Sequence, residues 1–167
     1  PAANWNGTTP ALTVRLVEDG GAPLVTGGRV DLTDGVGGST VYSAGTIALT
    51  GTVTPVNDAP VATGATAVLP AIAEDTTNPA GASITALFAH LFSDATDTVS
   101  GGSAANGFAG VAIVGNAATT AQGVWQYWTG TAWTAVGAAS DGNALLLAAS
   151  AMLRFVPAAN WNGTTPA

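Results

Sequence analysis

The chain has 167 residues, of which 47% are hydrophobic and only 8% are charged, and ten carboxylates against three arginines give a net charge of −7. An acidic surface without basic clusters argues against nucleic acid as a partner, because phosphates require a positive surface. No apolar run approaches the roughly 18 residues of a membrane-spanning helix. Without cysteine, neither disulfides nor thiolate metal sites can form.

The segment Pro1–Ala11, PAANWNGTTPA, recurs with an identical sequence as Pro157–Ala167. We name these segments the first copy and the second copy. They are offset by 157 − 1 = 156 residues, and Leu153–Val156 runs smoothly into the second copy. An identity of this length indicates a tandem repeat with one 156-residue period, a class of protein that builds length rather than performing catalysis. We therefore expect the chain to be an internal piece of a longer array.

Three segments after the first copy favour strands. Leu12–Val17 alternates apolar and polar residues and is followed by a turn, Glu18-Asp19-Gly20-Gly21. Gly27–Leu32 is a weaker candidate, and Thr46–Val56 is a β-branched, alternating run that ends beside a proline. The acidic stretch 57–60, NDAP, then predicts a linker, because Pro60 holds the preceding residue in an extended conformation.

Beyond the linker, Val61–Ile72 predicts one or two strands that end at Glu74-Asp75-Thr76. The segment 83–92 predicts the one short helix, since Ser83 can cap its N-terminus and apolar residues recur with helical spacing. His90 lies on the other helix face and is predicted to be solvated. An acidic turn, Ser93–Asp97, follows.

The remaining segments predict further strands. They are Phe108–Val114, a hairpin of Val124–Thr129 and Ala132–Val136 around Gly130, Leu145–Leu147, and Met152–Val156. Many short strands, glycine-rich turns and one short helix predict an all-β fold of the β-sandwich type.

Together these segments resemble bacterial cadherin-like tandem repeats, the Ig-like modules that occur in series in giant RTX-type surface adhesins. The resemblance is carried by Phe155–Gly163, FVPAANWNG, by the Asp19-Gly20 turn and by Val53–Pro60, VTPVNDAP, and it covers nearly the whole period. It implies an Ig-like, cadherin-like β-sandwich cut in a permuted frame. Residues 1–56 would be the closing strands of one module, 57–60 the inter-module linker, and 61–167 the opening and middle part of the next module.

The resemblance also implies a function. The chain would be a non-catalytic extender of a secreted adhesin at the bacterial cell surface, holding a distal adhesive domain away from the cell for attachment or biofilm formation. It would be rigidified by Ca²⁺, for which clustered carboxylates supply the preferred hard oxygen ligands. The candidate ligands at the matching positions are Asn57, Asp58, Glu74, Asp75, Asp94 and Asp97, with Asp19 as a lesser candidate. An acidic turn with only two aspartates is thinner than the DxDxD-type run of many relatives, which lowers the expected ligand count.

An alternative function rests on the aromatic hairpin. Trp125, Tyr127, Trp128 and Trp133 could stack on sugar rings and make the chain a carbohydrate- or cell-surface-binding module. Alternation along a strand places Trp125 and Tyr127 on one face and Trp128 on the other, so that at least one face is predicted to be core. Catalysis is not expected, because one histidine and no cysteine or lysine leave no positioned nucleophile or base.

The expected partners are neighbouring repeats of the same protein. The linker is too short to span the length of a strand, so residues 1–56 are predicted to complete the sandwich of a neighbouring molecule by end-to-end strand complementation. The two copies would then compete for one position. In each copy the Asn-Trp-Asn-Gly segment is predicted to be a turn with a packed indole and asparagines bonded to local backbone.

Overall fold

The computed structural model describes residues 1–20 and 23–165, which form two compact units. The first unit comprises Pro1–Asn57 together with Asp97–Ala104, and the second comprises Asp58–Thr96 together with the chain from Ala105 onward. The division between Asn57 and Asp58 falls inside the predicted linker. The sequence contained no sign that Asp97–Ala104 would pack with the N-terminal residues.

The first unit contains four short strands in two antiparallel pairs, β1 with β4 and β2 with β3. These strands are β1 (Gly7–Thr8), β2 (Leu12–Val14), β3 (Ile47–Leu49) and β4 (Thr52–Val53). Both pairs lie within residues 1–56, and no described strand of this range pairs with a described strand of 61–156. Strand complementation predicts that the partner of Leu12–Val14 lies in another molecule, whereas the described partner is β3 of the same chain. Strand complementation between molecules stays a prediction.

The strand predictions for the first unit are confirmed only in part. The run Thr46–Val56 is divided at Gly51, whose N–H donates to Thr9 Oγ1 over 2.8 Å and whose carbonyl accepts from Thr9 N over 2.9 Å. Gly27–Leu32 is not a strand. Gly27 has a φ of 84° and the Gly28 N–H closes a turn onto the Val25 carbonyl over 3.0 Å, so the backbone cannot stay extended there.

The second unit holds a four-stranded antiparallel sheet in the order β10-β9-β12-β6, and two further pairs, β11 with β8 and β5 with β7. Its elements are β5 (Val61–Ala62), β6 (Ala82–Ser83), α1 (Ile84–Phe88), β7 (Phe92–Ser93), β8 (Gly110–Ile113), β9 (Gly123–Trp128), β10 (Trp133–Ala135), β11 (Leu145–Ala148) and β12 (Met152–Pro157). The core of this unit is small. Ile84 and Leu87 of α1 pack with Leu147 and Leu153, and the half-buried aromatic rings of β9 lie against this cluster.

The predicted helix is shorter than expected. Ser83 caps it as predicted, because its Oγ accepts from the Ala86 N–H over 3.1 Å. The α-helix ends at Phe88, a 3-10 turn follows over Ala89–Leu91, and β7 begins at Phe92. Pairing of Phe92 with Ala62 of β5 replaces the last helical turn, so a sheet contact overrides the helical pattern. His90 is exposed in the 3-10 turn, as predicted.

The segment Val61–Ile72 forms only β5, whose pairing with β7 ends after the Thr63 N–H donates to the Leu91 carbonyl over 2.8 Å. The hairpin β9–β10 and the strands β8, β11 and β12 lie within two residues of their predicted ends. The described chain is therefore mostly strands with one short helix, in several small sheets, which is compatible with a β-sandwich. Among the described residues, no helix has the length and apolar character needed to cross a bilayer.

Candidate functional site

The two copies of the repeated segment fold into the same turn. In the first copy the Trp5 N–H donates to the Ala2 carbonyl over 3.2 Å, and in the second the Trp161 N–H donates to the Ala158 carbonyl over 3.1 Å. The residue before each tryptophan is left-handed, with a φ of 59° at Asn4 and 56° at Asn160. Asparagine tolerates this conformation better than most residues. The turns span Ala2–Trp5 and Ala158–Trp161, so they overlap the predicted Asn-Trp-Asn-Gly turn only in its first two residues. The predicted bond to local backbone is seen at Asn6, whose Nδ2 donates to the Asn4 carbonyl over 3.4 Å, whereas the Asn162 amide bonds Glu74.

The first copy is built into the packing of the first unit through Asn6, which is only 6% exposed. Its Nδ2 donates to Ser103 Oγ over 2.8 Å, and its Oδ1 accepts from the Ser103 N–H over 2.7 Å. Ser103 Oγ in turn donates to the Asp97 carbonyl over 2.5 Å. We name residues Asp97–Ala104 the 97–104 turn. Its Ser103 satisfies both sides of a buried amide, which would otherwise cost about 1–3 kcal/mol.

Two glycines let the backbones meet at this contact. A Cβ on Gly102 would lie 2.3 Å from Asn6 Oδ1, and one on Gly7 would lie 2.9 Å from the Gly101 carbonyl oxygen. Gly7 also has a φ of 117°, a conformation that favours glycine. The 97–104 turn therefore fits an Asn-Gly pair. Ser103 bonds the asparagine amide, and the residue after the asparagine has no side chain that would meet the turn.

The second copy makes different contacts, within the second unit. The Asn160 N–H donates to Asp75 Oδ1 over 2.7 Å, and Asn162 Nδ2 donates to Glu74 Oε2 over 3.2 Å. The Trp161 ring packs against Phe155 with centroids 5.6 Å apart. Asn162, which corresponds to Asn6 in the repeat, is exposed. The same asparagine is thus buried in one copy and solvated in the other.

The predicted calcium ligands are distributed over both units. Asn57 and Asp58 flank the division between the units, Asp19 is exposed in the first unit, and Glu74 and Asp75 hold the second copy. In the ranges 1–20 and 23–165 no three or more acidic or histidine side chains gather into a possible metal site.

The acidic turn places two of these candidates inside the protein. Asp94 and Asp97 are each 6% exposed, and Asp94 Oδ2 accepts from the Asn106 N–H over 2.6 Å. Every buried side-chain nitrogen and oxygen of the described residues has a hydrogen-bond partner. Carboxylate oxygens are ligands that Ca²⁺ prefers. Among the described residues, however, no three of these carboxylates lie close enough together to hold one ion.

The aromatic residues of the hairpin divide between its two faces, as alternation predicts. Trp125 and Tyr127 lie against the core, and the Trp125 ring meets Phe155 edge-on at 5.1 Å. On the other face Trp128 and Trp133 pair across β9 and β10 with centroids 5.5 Å apart. Because Trp125 and Tyr127 pack against the core, Trp128 and Trp133 are the two of the four predicted residues left to stack on a sugar ring.

Arg154 completes this second face and was not identified from the sequence. It is 7% exposed, and its guanidinium carbon lies 4.0 Å from the centre of the Trp133 ring. Its Nε donates to Gln126 Oε1 over 2.9 Å and its Nη1 to Asn78 Oδ1 over 2.6 Å. Burial lowers the pKa of the Arg154 guanidinium, although an arginine remains charged in proteins. The sequence feature that could have identified Arg154 is its position inside the apolar run MLRFV, because a charged group among buried apolar residues requires hydrogen-bonding partners.

The second unit also contains an open groove of about 360 Å³ whose lining is apolar apart from Thr66 and holds no titratable side chain. Its walls include Val61, Phe88, Leu91, Phe92 and Phe108. The groove offers neither an acid–base pair nor a nucleophile. Comparisons of the chain with protein-family models, with curated proteins and with solved structures found no match.

Proposed function

We propose that the chain is a non-catalytic structural extender repeat of a large secreted bacterial adhesin, built from Ig-like β-sandwich modules at the cell surface. The carrying observation is that an eleven-residue segment recurs unchanged after one period and, in its first copy, packs as an architectural element through buried Asn6. Unchanged repetition of a packing segment suits an array whose task is length. In this role the module projects a distal adhesive domain for attachment or biofilm formation.

Exposed apolar strand residues support neighbouring repeats as partners. Leu12 and Leu49 are direct cross-strand partners, yet they are 62% and 60% exposed. In an array, adjacent repeats would cover part of this surface, as capping neighbours do in other repeat proteins.

Calcium is the second part of the proposal. The ten carboxylates and the absence of lysine favour a hard divalent cation, and the linker residues Asn57 and Asp58 would contribute ligands where two modules meet. A ligand that binds only the folded state stabilises it by about 2.7 kcal/mol at a hundredfold excess over Kd. Thermal melting in millimolar Ca²⁺ should therefore occur at a higher temperature than in EDTA.

The calcium test has a matched control. Asp58→Ala should remove much of the calcium-dependent rise, measured as the difference between the melts of the same variant in Ca²⁺ and in EDTA. Asp34→Ala, outside the candidate set, should leave that difference unchanged. Equal melting temperatures in Ca²⁺ and EDTA would contradict the calcium part. The extender part is tested separately, by X-ray scattering from chains of one, two and three periods. A maximum dimension that fails to grow with each added period would contradict it.

The alternative is a carbohydrate- or cell-surface-binding module that uses Trp128 and Trp133. Their paired rings are half-buried, so part of their aromatic surface remains available. Glycan-array binding together with quenching of tryptophan fluorescence, both lost in Trp133→Ala but kept in Trp5→Ala, would favour this alternative over the extender.

A further inference from the structure

The 97–104 turn belongs by sequence to one module and packs with the residues of another. In the proposed array, residues 1–56 close one module, and residues 61–167, which include this turn, belong to the next. The turn nevertheless packs in the first unit, while the residues on both sides of it belong to the second unit. We infer that the 97–104 turn is a strap by which each module holds the module before it, in addition to the linker 57–60. The inference rests on the proposed extender function and deepens it by naming this contact.

The base of the turn is closed within the second unit. Asp94 Oδ2 accepts from the Asn106 N–H over 2.6 Å, and these two residues stand just before and just after the turn. Asp94 is only 6% exposed, so its bond lies in a surrounding of low dielectric, where it is stronger than in water. The two ends of the turn are therefore held together by a buried carboxylate.

The tip of the turn is closed by its own hydrogen bonds. The Gly102 N–H donates to the Val99 carbonyl over 3.0 Å, and the Val99 N–H donates to the Ser103 carbonyl over 3.0 Å. Ser103 Oγ donates to the Asp97 carbonyl over 2.5 Å. Because all these bonds lie within the turn, its shape does not depend on the first unit. Docking on Asn6 therefore costs little conformational entropy.

Docking gives consecutive modules a second attachment. Modules that share few contacts beyond a short linker move relative to one another by default. Asn6 is buried and joined to Ser103 by two hydrogen bonds. Because the two residues belong to one chain, an effective concentration on the order of millimolar favours the docked state. The strap thereby limits motion between modules, which suits an extender that holds a distal domain away from the cell.

The test breaks this contact in the full chain and follows the tumbling of both units by NMR relaxation of the backbone amides. A Cβ on Gly102 would lie 2.3 Å from Asn6 Oδ1, so Gly102→Ala should undock the turn. Gly102 does not have a positive φ, so alanine leaves the backbone of the turn unstrained. Gly107→Ala is the matched control, since a Cβ there meets nothing within 4 Å.

The unmodified chain and Gly107→Ala should show one rotational correlation time for both units and a Ser103 N–H that is protected from hydrogen exchange. In Gly102→Ala this protection should be lost, and the units should show two separate, shorter correlation times. Separate times in the unmodified chain would overturn the inference. So would a common time that survives in Gly102→Ala after the protection is lost. Retained protection would overturn it as well, because Ser103 would then be held by something other than Asn6.

Ser103→Ala keeps the inference testable if Gly102→Ala unfolds the first unit. This variant removes the hydroxyl bonds but keeps the backbone N–H that bonds Asn6 Oδ1, so it should reduce docking without abolishing it. Hydrogen exchange of the amide at position 103 should become faster, and the two correlation times should begin to separate. Faster exchange with an unchanged common time would overturn the inference. A maximum dimension that still grows with each added period would leave the extender function standing, so the two proposals fail separately.

Discussion

The first and second copies have the same eleven residues and the same turn, but opposite burial of the second asparagine. Asn6 is buried and hydrogen-bonded to Ser103, whereas Asn162 is exposed and hydrogen-bonded to Glu74. Local sequence therefore determines the turn, through a left-handed asparagine and a glycine, and the surrounding chain determines what the turn binds. If the chain is part of the proposed array, this separation would let one short segment recur in every repeat while the surrounding chain sets its contacts.

The largest effect should come from removing the ring that supports the second copy. Phe155 is 1% exposed and packs against both Trp125 and Trp161. Phe155→Ala should lower the unfolding free energy of the second unit by about 3–5 kcal/mol, through lost burial and a cavity. Urea denaturation measures this loss. Phe155→Leu should cost clearly less, and a loss below about 1 kcal/mol for Phe155→Ala would mean that this side of the sheet collapses to fill the space.

The contact between the first copy and the 97–104 turn can be disrupted without changing the first copy, by adding a methyl group to the turn. In Gly102→Ala the new Cβ would lie 2.3 Å from Asn6 Oδ1, so the amide must leave its site. We expect a loss of about 1–3 kcal/mol in the stability of the first unit. Gly35→Ala is the matched control, since a Cβ there meets nothing within 4 Å. Trp161 fluorescence should stay unchanged in both variants, and a change in Gly102→Ala alone would show that the two copies are not independent.

Asn6→Ala and Asn162→Ala compare the two copies at the same repeat position. Removing the buried amide leaves the Ser103 N–H without its acceptor, for a loss of about 1–3 kcal/mol, while the Ser103 hydroxyl keeps its bond to the Asp97 carbonyl. Removing the exposed amide should change stability by less than about 0.5 kcal/mol. Both values come from urea denaturation. Equal losses would mean that Asn162 is as well packed in solution as Asn6.

The sequence predicted features that depend on neighbouring residues and missed contacts between residues that lie far apart in the chain. It predicted the Ser83 cap and the hairpin β9–β10, and it placed the turn of each copy within two residues, because each depends on residues within a few positions of one another. It could not predict that Asn6 would bond Ser103, which lies 97 residues away in a glycine-rich stretch without periodicity. Pairing of β5 with β7, which shortens the helix, is likewise a long-range contact that overrides a correct local pattern.

The candidate site was predicted with similar limits. Alternation correctly divided the hairpin aromatics between two faces, but the partners that hold Arg154 on one of them come from a distant loop, Asn78 and Pro79. The calcium prediction rested on donor type, on clustering along the sequence and on the family resemblance. Donor type does not determine convergence, and in the described chain Glu74 and Asp75 instead bind the second copy.

The smallest effect should come from Asp75→Asn, which tests how the second copy is held. The Asn160 N–H donates to Asp75 Oδ1 over 2.7 Å at an exposed site. An asparagine keeps an oxygen at that position, so the bond can persist while its charge is lost. Exposed charge interactions contribute little, and we expect a loss of about 0.5 kcal/mol or less in EDTA. If Asp75 is also a calcium ligand, the same variant should lose part of the calcium-dependent rise in melting temperature, because a neutral amide binds Ca²⁺ more weakly than a carboxylate. A loss of stability in EDTA as large as that of Gly102→Ala would instead show that the charge of Asp75 stabilises the second copy as much as the burial of Asn6 stabilises the first.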